Sequence, residues 1–141
     1  MPTSASDLAF ARLQAEEGFR SSAYRDTAGN LTIGYGFNID AGISQYCALA
    51  LMDAQLAEIT RSLSGFWWWA ALDDVRASVL LDLGFNLGVN GLLHFPKMLA
   101  AVGAKNWKVA HDELLDSAAA RSLPQRYQRL AQILLTGQEG R

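Results

Sequence analysis

Only one stretch of this chain departs from helical spacing, and it lies near the front. From Ala23 to Phe37 the apolar residues alternate instead of recurring every third or fourth position, and Ala28-Gly29-Asn30 reads as a turn between two short strands. In the second strand Leu31, Ile33, Tyr35 and Phe37 are expected on one face. That leaves Thr32, Gly34 and Gly36 on the other, with Thr32 on an open surface bordered by glycines. Ahead of the hairpin, Ser6 or Asp7 can cap a first helix that presents Phe10, Leu13 and Glu17 together and stops at Gly18. After Gly42 the spacing is helical to the end, over roughly 44–52, 53–63, 73–83, 96–102, 107–116 and 125–135. Asp73 or Asp74 caps one of these helices, Asn106 another, and Pro124 stands at a first-turn position. The segment Val75 to Leu83 is apolar nearly all round, which predicts a helix through the middle of the helical part. The predicted fold class is therefore α+β: one domain over 1–141, with a small β-hairpin lobe at about 18–42. A larger helical lobe spans about 53–141 and includes the first helix, about 6–17.

Composition narrows the function classes. At 141 residues, 50% of them hydrophobic and 18% charged, the chain can bury a core and carries no sign of disorder. Twelve Lys and Arg against 14 acids leave no basic field for a polyphosphate, so nucleic acid is not an expected partner. The longest apolar runs, around CALALM and FWWWAAL, are far too short to cross a bilayer, and the first residues have no basic start followed by an apolar run; neither stable membrane insertion nor a signal peptide is expected. Cys47, the sole cysteine, sits among Ala and Leu and reads as a buried packing residue. Three adjacent rings cannot share one face, so Trp67, Trp68 and Trp69 read as packing before they read as a sugar platform. His94 and His111 have no neighbouring ligand pattern, and neither a metal nor a cofactor is expected.

The chemistry-bearing candidates are acids. Breaking a glycosidic bond in water calls for a protonated carboxyl that donates to the leaving oxygen and a second group that positions or activates the nucleophile. Glu17 ends an apolar helix stripe, where desolvation would favour its neutral form, whereas Asp26 lies in the polar turn Arg25-Asp26-Thr27, where it should stay ionised. On these grounds alone the pair reads equally as a helix-end acid and a turn-capping aspartate.

The wider string separates the two readings. Glu17-Gly18-Phe19-Arg20, Ala23-Tyr24-Arg25-Asp26, Gly29 and Thr32-Ile33-Gly34-Tyr35-Gly36 together closely resemble the signature of the phage lysozyme family, glycoside hydrolase family 24. Eight residues separate Glu17 from Asp26 and five separate Asp26 from Thr32, as in that family. The likeness continues through Leu83-Gly84-Phe85-Asn86-Leu87-Gly88 and Leu123-Pro124-Gln125-Arg126-Tyr127-Gln128-Arg129, so it covers nearly the whole chain. It implies a lysozyme-like fold with the active-site cleft between the lobes, and a peptidoglycan substrate. Glu17 would be the general acid, Asp26 would orient the attacking water and Thr32 would help hold it. Arg126 matches an arginine that pairs with the catalytic glutamate. Inversion is implied, with a carboxyl separation of roughly 6.5 to 9.5 Å. Asn86 matches a polar position that contacts sugar, or else a helix C-cap, and Gly34 and Gly36 either admit a sugar ring or serve the hairpin twist; Tyr35 lies between them as a further substrate-binding candidate. Where many relatives have His, this chain has Phe37, and its connection after the hairpin is shorter. By analogy the protein acts as a monomer, made without an export signal and released to periplasmic peptidoglycan by a holin. A lytic transglycosylase, a non-catalytic peptidoglycan-binding protein and membrane disruption by the last helix are the competing readings.

Overall fold

In the computed structural model, which describes residues 3–140, the chain divides into two compact units, one ending at Leu49 and the other beginning at Ala50. The architecture is α+β, as the periodicity predicts.

The first unit opens with helix α1, Ala5–Glu17. Its cap is Ser4, not Ser6 or Asp7: the Ser4 hydroxyl accepts the Asp7 N–H at 3.0 Å, and the Asp7 carboxylate accepts the Ser4 N–H in return. Asp7 therefore belongs to the cap as its reciprocal partner, closing two of the free N–H groups at the helix start. Strands β1 (Arg20–Arg25), β2 (Leu31–Gly34) and β3 (Phe37–Asn38) follow, forming an antiparallel sheet in that order.

Two expectations are corrected in this sheet. The second strand does not run on to Phe37: Gly34 and Gly36 adopt φ of 68° and 75°, and these left-handed residues turn the chain so that Phe37 pairs back against Ile33. Thr32 is not on an open surface either. It occupies the central strand between Tyr24 on β1 and Asn38 on β3, and neighbours on both sides leave it 3% exposed. Among the described residues up to Leu49 it is the only buried one.

Helix α2, Gln45–Leu63, starts in the first unit and is continuous where two helices were expected, because no turn residue stands at Met52-Asp53. Nothing in it before Leu56 is even half-buried, so Cys47 is exposed, contrary to the packing role its neighbours suggest. The second unit continues with a 3-10 turn at Trp69–Ala71, α3 (Asp74–Leu92), α4 (Pro96–Gly103), α5 (Trp107–Leu115), α6 (Ala118–Ser122) and α7 (Pro124–Thr136). α3 is longer than its apolar run suggests and is broken at Gly88, whose φ of 76° and ψ of 158° leave the helix. Its Val79, Leu80, Leu83 and Gly84 are buried, with Ile59 of α2 lying where a Gly84 side chain would be. Tyr127, Leu130, Ala131 and Leu134 of α7 join the same core, which withdraws the apolar face that membrane disruption would need. Trp68 is buried and stacked on Phe66, Trp69 is half-buried against it, and Trp67 is exposed; packing thus accounts for two of the three rings. No helix of the described residues is long and apolar enough to cross a membrane.

One guanidinium ties three helices of this unit together. Arg76, in the first turn of α3, pairs with Asp73 at 2.8 Å and donates to the Leu134 and Leu135 carbonyls at the end of α7, at 2.7 and 3.1 Å. Its flat face lies 4.1 Å from the centre of the Trp107 ring of α5. Gly137 follows in the left-handed conformation that closes α7, and a side chain there would strike the Arg76 guanidinium.

Candidate active site

Five of the residues singled out from sequence belong to the first unit. Glu17 is the last residue of α1, exposed, where Gly18 (φ 67°, ψ 158°) takes the chain out of the helix towards β1. Desolvation by its own unit is therefore small. Its carboxyl lies against the backbone of Gly36: a Cβ built on that glycine would overlap the carboxyl oxygen Oε2 and stand 2.7 Å from Cδ.

Asp26 ends the first arm of the hairpin and holds its turn. Its Oδ1 accepts the backbone N–H groups of Ala28 and Asn30 at 3.0 and 2.8 Å, and its own N–H and C=O bond to the Asn30 carbonyl and the Gly29 N–H. The second oxygen, Oδ2, has only the Asn30 side-chain amide at 3.4 Å. Thr32 is linked to the same residue, because its hydroxyl donates to the Asn30 carbonyl at 3.0 Å. Asn30 thus joins Asp26 and Thr32 in one network through its backbone. With the Thr32 proton given to the Asn30 carbonyl, the hydroxyl oxygen keeps lone pairs able to accept a further hydrogen bond.

Gly34 and Tyr35 follow Thr32 in the chain. The Phe37 ring lies over Gly34, with Cδ2 3.0 Å from the place a Cβ would take, which supports the hairpin reading of that glycine more directly than the sugar reading. Tyr35 packs tilted against Phe19 at 5.5 Å between ring centres.

Asn86 and Arg126 belong to the second unit. Asn86 sits inside α3, two residues before the break at Gly88, and is not its cap. Its Oδ1 accepts the Tyr127 hydroxyl at 2.8 Å, and among the described residues its amide N–H groups have no acceptor. Burial of Tyr127 pushes that hydroxyl above its usual pKa, so it stays a donor. Arg126 donates through Nη2 to Asp82 at 2.5 Å, forming a second polar rung between α3 and α7, one turn from the first. A groove of about 390 Å³ runs beside that ion pair, lined by Met52, Leu56, Ser78, Leu81 and Phe85. Asp82 was not a candidate from sequence, and with the partners 44 positions apart no local spacing marks it. No group of three or more metal-ligating side chains occurs among the described residues.

A profile of phage lysozymes matches residues 14–130, from α1 through the hairpin and the helices to Leu130. The chain belongs to the phage lysozyme family. Two relatives are the probable T4-type lysozymes 1 and 2 of Dictyostelium discoideum, each 24% identical over 156 residues, covering 89% of this chain and 92% of theirs. A third is the pre-baseplate central spike protein Gp5 of Enterobacteria phage T4, 27% identical over 155 residues; the chain spans only 27% of that protein's length. Phage lysozymes are peptidoglycan hydrolases at family level, and the matched span contains every residue singled out above.

Proposed function

We propose that this protein is an N-acetylmuramidase that hydrolyses the β-1,4 bond between N-acetylmuramic acid and N-acetylglucosamine in peptidoglycan, with inversion. The observation that carries the reading is the Asp26–Asn30–Thr32 network, in which one carboxylate oxygen carries only a long bond from the Asn30 amide and the hydroxyl oxygen keeps lone pairs, within the family's motif. Glu17, protonated, gives its proton to the glycosidic oxygen as the C1–O bond breaks. A water held by Thr32 Oγ1 and Asp26 Oδ2 attacks C1 from the opposite face and loses a proton to Asp26. Glu17 ends as carboxylate and Asp26 as acid, and exchange with solvent resets both; the step asks for no cofactor. By the family resemblance Arg126, which Asp82 holds in place, supports the acid's side of this chemistry, and Asn86 and Tyr35 contribute contacts to sugar, whereas Gly34, covered by the Phe37 ring, serves the hairpin.

Product analysis on purified peptidoglycan tests this. Native protein should release fragments with reducing ends in the inverted configuration, and Glu17→Gln and Asp26→Asn should each lower turnover by about 10² to 10⁴-fold. Fragments with 1,6-anhydro ends would instead indicate a lytic transglycosylase, and undiminished turnover by Glu17→Gln would remove the acid from the mechanism. In the biological setting, we infer a monomeric enzyme that reaches periplasmic peptidoglycan during host lysis, with a holin opening the membrane. The spike-protein relative favours a second setting, in which such a domain works within a virion. Mass spectrometry of purified particles against the lysate separates the two: peptides confined to the lysate support lysis from within.

A further inference from the structure

We propose that Gly36 is a positioning residue for the catalytic acid, its bare backbone forming the seat that fixes the Glu17 carboxyl. The inference rests on the hydrolase reading for the word catalytic; the contact itself lies wholly within the first unit. Glu17 makes no hydrogen bond or ion pair with any described residue of that unit, so its three side-chain torsions are not held by polar partners there. Shape does the holding. A Cβ on Gly36 would overlap Oε2, stand 2.7 Å from Cδ and 3.2 Å from Cγ, and so displace the whole end of the side chain. The other left-handed glycines of the unit differ. Gly18, Gly29 and Gly42 have nothing within 4 Å of the same point, and Gly34 meets only the Phe37 ring. Backbone geometry alone therefore accounts for those glycines, whereas at Gly36, with φ 75°, a second requirement is added by the carboxyl. Because a proton donor misplaced by about 1 Å can lose on the order of 10² in rate, the seat matters to turnover more than to binding.

The test separates strain from seating. Gly42→Ala carries the same left-handed backbone penalty (φ 81°) in open space and serves as the control, with turnover within about twofold of native. Gly36→Ala should lower kcat on peptidoglycan by about 100-fold with KM little changed. Its thermal destabilisation should be greater than that of Gly42→Ala, and should shrink when Glu17→Ala removes the carboxyl from the same chain. If Gly36→Ala fails to fold, recovery of a folded protein by Glu17→Ala/Gly36→Ala gives the same answer. Equal losses of Tm in both backgrounds, or a double variant that also fails to fold, would overturn the seat. Undiminished turnover by Glu17→Gln would instead remove the catalytic role while the coupling in Tm stayed readable.

Discussion

Replacing Asp26 by Asn or by Ala separates two contributions that share one side chain. Its Oδ1 supports the turn through two backbone N–H groups, and its Oδ2 takes only the Asn30 side-chain amide at 3.4 Å. Asn keeps an acceptor for both N–H groups, so Asp26→Asn should hold the native Tm within a degree or two and lose turnover. Asp26→Ala should lose turnover and about 1 kcal/mol of stability as well, read by thermal melting. Equal melting temperatures for the two variants would show that the turn does not depend on this side chain. Thr32 allows a parallel test: Thr32→Val removes a hydroxyl from a buried position and takes one of its two donors from the Asn30 carbonyl, which keeps the Asp26 N–H, and should cost about 1 kcal/mol along with activity, whereas Thr32→Ser should recover both.

At the scale of the elements, Asp73 caps α3 by accepting the Arg76 N–H at 2.9 Å, and that bond, ahead of the Arg76 guanidinium, holds its carboxyl below the usual carboxylate range. A depressed pKa in the folded state gives stability that is present above the unfolded value, near 3.8, and lost as pH falls through the folded value. Asp73→Ala should therefore cost about 1 kcal/mol at neutral pH, and the gap from native protein in urea titrations should close below about pH 4. A gap that persists undiminished to pH 2 would contradict this. Arg76→Lys, which keeps the charge but not the planar fork, should cost about 2 kcal/mol because two α7 carbonyls and the Trp107 face lose their partner. Apolar spacing made α4, α5 and α7 legible in the sequence, since each buries one stripe of a regular helix. α6 escaped it because Ala118 to Ser122 is a single turn whose alanines carry no pattern. The third strand escaped for a different reason: alternation continues unbroken through Gly34 and Gly36, and only their φ values reveal the reversal. In the candidate site, the acids were legible from motif spacing, whereas the Asp82–Arg126 pair and the Gly36 seat arise from contacts between distant positions.

The molecule as a whole divides its burial unequally. The large buried side chains, from Leu63 to Leu134, all belong to the second unit, whereas in the first unit Thr32 alone is buried among the described residues. Because opening free energy follows buried apolar contact, amides of the β1–β2 hairpin should exchange with solvent through openings well below the global unfolding free energy, while those of α3 and α7 should require it. Hydrogen exchange that protects the hairpin as strongly as α3 would refute this ranking. The Arg76 contacts carry a consequence for synthesis. A residue near the beginning of the long helix fastens carbonyls 58 and 59 positions further on, so a nascent chain halted on the ribosome before Leu134 has nothing to complete the fastening.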